Sequence, residues 1–324
     1  MRSDTPKSLG QQILGGSSRA LSRGLTWIEQ GGPRAEALCD ALYPHTGRAH
    51  LIGITGSPGT GKSTLTRRLA IAAARRNLKV GIIAVDPSSP YSGGSILGDR
   101  IRMHDLSSEF GVFIRSMASR GALGGLCRAA DDSADLMDAA GMDLIFIETV
   151  GVGQDEVDVM GLAHTVVVVA APGLGDDVQT LKAGILEIAH VHVVNKADRA
   201  GADQTVADLR AMLQLDLASD SPWQPPVLSC SALSGEAVEA LLDSVLSHMR
   251  GLQESSGLER KRIEIAMARV SRMVRYRLDK LLREPDSATA KGIQEVARRE
   301  ISPHAYVRTL TSELAPLVEV SKHV

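Results

Sequence analysis

Residues 51–64 read Leu51-Ile52-Gly53-Ile54-Thr55-Gly56-Ser57-Pro58-Gly59-Thr60-Gly61-Lys62-Ser63-Thr64, and this stretch decides the fold. From Gly56 to Ser63 it matches G-x-x-x-x-G-K-[ST], the phosphate-loop pattern. Leu51–Ile54 predicts a short buried strand, and the segment from Leu65 to Arg76 predicts the helix that follows. A glycine-rich turn between them exposes backbone N–H groups to the β-phosphate of a nucleotide, and the positive end of the helix faces the same group. The candidate phosphate contacts are Gly56, Ser57, Pro58, Gly59, Thr60, Gly61, Lys62, Ser63 and Thr64. Lys62 is placed to reach the β- and γ-phosphates, and the Ser63 hydroxyl to ligate Mg²⁺.

Bulk properties narrow the function. The 324 residues suffice for one large α/β domain with helical additions, or for two domains, and 44% apolar content supplies a core. A net charge of −2 and only 3% aromatics argue against a nucleic-acid surface or an anionic membrane as partner. Cys39, Cys127 and Cys230 are odd in number and far apart, which fits a reducing compartment rather than a disulfide framework or metal spacing. No apolar run approaches the length of a membrane span. The first 18 residues are polar and glycine-rich, and a loose N-terminus of a cytoplasmic protein is expected there.

Three regions follow along the chain. Residues 1–47 form an N-terminal helical extension, in which Ala20, Leu21, Leu25, Ile28, then Ala37, Leu38, Leu42, predict two helices broken at Gly31-Gly32-Pro33. Residues 48–250 alternate strand and helix. The apolar runs Leu51–Ile54, Val80–Val85, Val112–Ile114, Leu144–Ile147, Thr165–Ala170, Val191–Val194 and Val227–Leu228 predict a mostly parallel sheet covered on both faces. In such an α/β fold the ligand lies at the carboxyl ends of the strands, and each motif below follows one of these runs. Residues 251–324 form a helical arm. Leu258, Ile263, Met267, Val270, Val274, Leu278 and Leu281 repeat at helical spacing up to a break at Glu284-Pro285-Asp286-Ser287, and further helices are expected around 288–299 and 304–318. So long a stripe reads as a dimerisation surface.

Asn195-Lys196-Ala197-Asp198 follows the run Val191–Val194 and is the N-K-x-D guanine-reading pattern. The Asp198 carboxylate can accept hydrogen bonds from the guanine N1–H and 2-amino group, a donor pair that adenine lacks. The stem of Lys196 can cover the base, and Asn195 can tie the loops together. Ser231-Ala232, after Val227-Leu228, fits the last guanine loop, with a backbone N–H for the guanine O6. Leu144–Ile147 ends in Glu148-Thr149-Val150-Gly151, where many GTPases carry D-x-x-G. There Glu148 is placed to hold the Mg²⁺ shell, and the Gly151 N–H to sense the γ-phosphate. Asp86, at the end of its strand, and Asp99 are further candidate Mg²⁺ carboxylates, some acting through water.

The segment Val85-Asp86-Pro87-Ser88-Ser89-Pro90-Tyr91-Ser92-Gly93-Gly94-Ser95-Ile96-Leu97-Gly98-Asp99-Arg100 resembles the signature of the MeaB/ArgK family. Glu148-Thr149-Val150-Gly151-Val152-Gly153-Gln154, Ala41–Ala49 and Trp223-Gln224-Pro225-Pro226-Val227 are similar to that family too, and the resemblance covers about residues 17–282. It implies a SIMIBI-type P-loop GTPase core with helical extensions, homodimeric through the C-terminal arm. It implies a chaperone of adenosylcobalamin-dependent acyl-CoA mutases of the methylmalonyl-CoA type, which gates cofactor loading and whose slow GTP hydrolysis the mutase raises. The counterpart of the family's third switch is Pro172–Lys182, with Asp176, Gln179 and Lys182 at its polar positions. Thr180-Leu181 replaces the usual Gly-Ile, and His190 stands where the family has an acid. These departures point to a different mutase partner.

The reaction implied is attack of water on the γ-phosphate of GTP, with Lys62 and Mg²⁺ neutralising charge. Gln154 is the candidate water-positioning residue, and Lys182, then Arg100, the candidate switch cation. His45, His50, His104, His164, His190 and His192 are scattered and read as ordinary surface or core histidines. Arg67, Arg68, Arg75 and Arg76 read as a solvated helix face, and Arg115–Gly121 as a partner-facing or switch-supporting loop. The rival readings are a metallocentre-assembly GTPase, a small-molecule kinase of the same P-loop class, and a scaffold.

Overall fold

The computed structural model describes residues 5–86, 106, 110–118, 125–149, 160–173, 188–215 and 223–319. The chain divides into two compact units, residues 1–272 and 273–324. The larger unit holds seven strands: β1 (His50–Thr55), β2 (Val80–Asp86), β3 (Phe113–Ala118), β4 (Leu144–Thr149), β5 (Thr165–Ala170), β6 (Val191–Val194) and β7 (Val227–Ser229). All seven apolar runs are strands. They pair in the order β3-β2-β4-β1-β5-β6-β7, and every pairing is parallel. β4 and β5 are buried along their whole length, as apolar, β-branched segments with helices on both faces must be.

Helices α4 (Lys62–Arg75) and α7 (Val238–Glu254) cover one face, where Leu65, Leu69, Leu241, Leu242 and Val245 pack on Ile52, Ile54, Phe146 and Val167. The other face carries α1 (Pro6–Leu14), α2 (Ser18–Gln30), α3 (Pro33–Leu42), α5 (Gly125–Ala139) and α6 (Ala202–Leu215). Helix α1 corrects the expectation of a loose N-terminus. Thr5 and Ser8 close a capping box at its start, Pro6 occupies its first turn, and Leu9 and Ile13 are fully buried. Two apolar anchors one turn apart, in an otherwise polar stretch, give too weak a periodicity to read from sequence.

The sheet is fixed at its amino edge by histidines. His164 Nδ1 accepts the Leu51 N–H at 3.0 Å, and His190 Nδ1 accepts the Val166 N–H at 3.0 Å. The Thr165 hydroxyl bridges His50 Nε2 at 2.7 Å and His248 Nδ1, on α7, at 2.8 Å. The Trp223 indole N–H donates to the His190 carbonyl at 2.8 Å. The histidines were read as ordinary core or surface residues. Three of them, His50, His164 and His190, are core residues and gather with His248 into one cluster around Thr165.

Helix α8 (Gly257–Arg283) begins in the larger unit, tied to α5. Arg269 bonds Asp132 at 2.9 Å and Asp135 at 2.6 Å, and one Arg272 amino group lies 3.1 Å from both oxygens of Asp131. Asp138, on the same helix, accepts the N–H groups of Gly47 at 2.6 Å, Arg48 at 3.1 Å and Ala49 at 3.1 Å. Burial pushes the carboxyls of Asp131, Asp132 and Asp135 up, against the pull of the two arginines. In the smaller unit, α9 (Ser287–Ala297) starts with the Asp286 carboxylate capping the Thr289 N–H at 2.8 Å. Tyr306, on α10 (Pro303–Glu319), lies against Gly292 and donates to the Thr289 carbonyl at 3.1 Å. Among the described residues no helix is long and apolar enough to cross a membrane.

Candidate functional site

The turn between β1 and α4 is shaped by glycines with positive φ. Gly56 stands at φ 143°, and a Cβ there would meet the Val169 carbonyl oxygen at 2.1 Å. Gly61 stands at φ 90°, and its Cβ would meet Asn195 Nδ2 at 2.5 Å. Only glycine fits either position. Gly61 is also the N-cap of α4 and offers no side-chain acceptor, so the first amides of the helix are left for a ligand. The buried Lys62 ammonium donates to the carbonyls of Gly56 at 2.6 Å and Ser57 at 3.0 Å, which holds it over the loop. Thr60 is buried and donates to the Ser57 carbonyl at 2.9 Å.

Glu148 lies on β4, paired with Ile54 of β1 on one side and Ala84 of β2 on the other. That register brings its buried carboxylate to the start of α4, where the Ser63 hydroxyl donates to Glu148 Oε1. A hydroxyl and a carboxylate in contact beside a phosphate loop are the hard oxygen donors Mg²⁺ takes, so the residues fit that ion. Asp86 ends β2, the neighbouring strand, at the same carboxyl edge. Gly151, Gln154, Asp99, Arg100 and Lys182 lie outside the described residues, as does the segment 174–187.

On the other side of the loop, Asn195 is 2% exposed and joins three segments. Its Nδ2 donates to the Thr60 carbonyl at 2.8 Å, and its Oδ1 accepts the Ala232 N–H at 2.9 Å. The Ala232 amide of the expected guanine loop therefore meets Asn195. Lys196 adopts φ 60° and its ammonium donates to the Gly59 carbonyl at 2.6 Å. The exposed Asp198 accepts a 2.6 Å hydrogen bond from Ser231 Oγ, which is the main cause holding its carboxyl below the usual range. Asp198 thus presents a charged acceptor at the protein surface. The structure brings Ser57, Thr60, Lys62, Ser63, Glu148, Asn195, Lys196, Asp198, Ser231 and Ala232 to one edge of the sheet.

Two basic assignments change. Arg68, read as part of a solvated face, is bonded to the Ala232 and Leu233 carbonyls, whereas Arg76 stays exposed and pairs at the surface with Glu239 and Asp243 of α7. Arg115, read as the start of a partner-facing or switch-supporting loop, ties β3 to α2 through Glu29 at 2.6 Å and Thr26 at 3.3 Å. Each contact joins elements far apart in sequence, so no local pattern announces it. His190 is likewise engaged beneath the sheet, which accounts for that departure by packing.

Comparisons with known proteins show the family of the chain. The family described as "Methylmalonyl Co-A mutase-associated GTPase MeaB" matches residues 21–287. A Pyrococcus horikoshii protein that carries a GTPase name is 50% identical over 256 residues, 78% of this chain and 80% of that protein. The mitochondrial methylmalonic aciduria type A homolog of Caenorhabditis briggsae is 34% identical over 276 residues, 80% of this chain and 67% of that protein. The crystal structure of a LAO/AO transport system kinase superposes with a TM-score of 0.72 at 26% identity, covering 97% of this chain and 99% of that one.

Proposed function

From the premise that the chain belongs to the MeaB family of methylmalonyl-CoA mutase-associated GTPases, and is itself a P-loop GTPase with a SIMIBI-type fold, we propose that it is the nucleotide-driven chaperone of an adenosylcobalamin-dependent acyl-CoA mutase. In this reading GTP hydrolysis gates loading of the cofactor into the mutase and its replacement. The observation that carries the proposal is the family match across residues 21–287, supported by the exposed Asp198 carboxylate that Ser231 holds beside the phosphate loop.

Water attacks the γ-phosphorus in line, the bond from phosphorus to the β,γ-bridging oxygen breaks, and GDP and phosphate leave. The chain's part is to position and to neutralise. The amides of the Gly56–Ser63 turn cradle the phosphates, and Lys62, already held by the Gly56 and Ser57 carbonyls, turns its charge to them. Ser63 and Glu148 would hold Mg²⁺, with Asp86 and Asp99 as outer carboxylates; the ion neutralises developing charge on the phosphate oxygens. Gly151 reports the γ-phosphate, Gln154 orients the water, and Lys182 supplies the further cation in the complex with the mutase. Asp198 and the 231–232 loop select guanine.

The protein works as a homodimer through α8. Ile263, Met267, Val270 and Val274 recur along that helix at three- and four-residue spacing, and each is more than half exposed. A solvated stripe of that length is the mark of a surface that meets another. The hydrolysis rate of GTP, with ATP as control, is expected to be slow alone and to rise on adding a methylmalonyl-type mutase; a rate indifferent to every mutase would overturn the chaperone reading. Val270→Asp is expected to convert a dimer to a monomer in size-exclusion chromatography with light scattering.

A further inference from the structure

Arg68 lies on α4, one turn beyond the phosphate loop, and its guanidinium faces the guanine loop. Its Nε donates to the Ala232 carbonyl at 2.9 Å, and one terminal nitrogen donates to the Leu233 carbonyl at 2.7 Å. These are successive carbonyls of the turn that carries Ser231, and two donors in a rigid fork fix both peptide planes. Packing holds the start of this turn, where Ser231 and Ala232 are buried, but not Leu233, whose side chain is 77% exposed. Beyond Ala232, the turn is held by Gly235 N–H to the Ser231 carbonyl at 2.8 Å and Ser234 N–H to Ser231 Oγ at 3.4 Å.

We propose that Arg68 is a positioning residue for base recognition: by gripping the Ala232 and Leu233 carbonyls, it sets the Ser231 hydroxyl that orients the Asp198 carboxylate. The path is continuous. Fixing the Leu233 carbonyl fixes the peptide that carries the Ser234 N–H, and that amide meets Ser231 Oγ. Ser231 Oγ then donates to Asp198 Oδ1 at 2.6 Å. A second branch runs from the same turn, through the Ala232 N–H, to Asn195 and on to the Thr60 carbonyl. The helix that begins at the phosphate loop thereby braces the loop that faces the base, and the circuit closes through Asn195.

Arg68 is separable from the docking of α4. That helix is also anchored by Arg76 on Glu239 and Asp243, and by Leu65 and Leu69 in the core. Removing Arg68 therefore loosens the Ala232 and Leu233 peptides while leaving the phosphate side in place.

The proposal rests on Asp198 reading guanine, and the test separates the two. Affinities for fluorescent GDP and IDP are measured on the full chain; hypoxanthine keeps N1–H but lacks the 2-amino group, so the GDP/IDP ratio reports the contact of Asp198 with that amino group. For Arg68→Ala we expect GDP affinity to fall about ten-fold and IDP affinity by less than about three-fold, the weight of one charge-assisted hydrogen bond to the base. Arg68→Lys, which can reach one carbonyl, should restore part of the ratio. Asp198→Ala is the reference and should flatten it. Equal losses for both nucleotides in Arg68→Ala, or no loss, with Asp198→Ala flattening the ratio, would overturn the role of Arg68 and leave the guanine assignment standing. A ratio that survives Asp198→Ala would overturn both. Thermal melts of each variant keep a folding defect apart from a change in base preference.

Discussion

The histidine cluster predicts a steep acid sensitivity that can be assigned to individual rings. His164 and His190 each use Nδ1 to accept a backbone N–H at the amino edge of the sheet, so a proton on that nitrogen sets donor against donor. Burial lowers both rings first. His248 and Lys261 push His190 down further, to about 3, and Arg262 and Lys261 push His164 to about 4. These are bases whose folded values lie below the unfolded one. The unfolded chain therefore binds more protons between the two values, and the stabilisation present above pH 6.5 is lost as pH falls toward 4. Between pH 7.5 and 5.5 each ring costs about 1.3 kcal/mol of stability, from an unfolded value near 6.5 and a folded one well below 5.5. The carboxyls of Asp131, Asp132 and Asp135, pushed up by burial, act in the opposite direction, so the comparison must be made between variants. Glutamine keeps an acceptor and cannot titrate in this range. In urea unfolding followed by circular dichroism, the double variant His164→Gln/His190→Gln should lose roughly 2–3 kcal/mol less than the parent between the two pH values. An unchanged pH loss in the double variant would refute the reasoning.

Three further outcomes test the nucleotide site. Asp198→Asn replaces an acceptor facing the 2-amino group with a donor, so GTP should weaken and XTP, which carries a carbonyl there, should gain in competition binding. Glu148→Gln keeps an oxygen near Ser63 but removes the charge, and it should raise the Mg²⁺ concentration needed for half-maximal hydrolysis by about ten-fold or more. Gly61→Ala forces a Cβ into Asn195 Nδ2 at φ 90° and should cost about 1–3 kcal/mol in a thermal melt together with nucleotide affinity; a stable variant with normal binding would refute the need for glycine there.

Much of the fold could be read because its signals are local. Each strand is a short apolar run, and the phosphate loop and Asn195–Asp198 follow such runs directly. Register then does the rest: Glu148 reaches Ser63 because β4 lies beside β1. What sequence could not show depends on contacts across long separations. Arg68 meets a turn more than 160 positions away, and Arg115 meets α2 86 positions before it. Nothing near these arginines in sequence distinguishes them from solvated ones. The histidine cluster was missed for the same reason, since its members come from three strand edges and one helix. Helix α1 escaped because it is only nine residues long and rests on two apolar anchors, Leu9 and Ile13, behind a strong cap.

The acidic face of α5 constrains how α8 can move. Asp131, Asp132 and Asp135 each meet a specific arginine of α8, and Asp138 grips the chain just before β1. An axial slip of α8 by one helical turn, about 5.4 Å, would break the present pairings of Arg269 and Arg272 with Asp131, Asp132 and Asp135 together. Gliding is therefore opposed, and the start of α8 and α5 move as one lever. Because Asp138 pins that lever to the chain entering β1, its fulcrum sits at the root of the strand that ends in the phosphate loop.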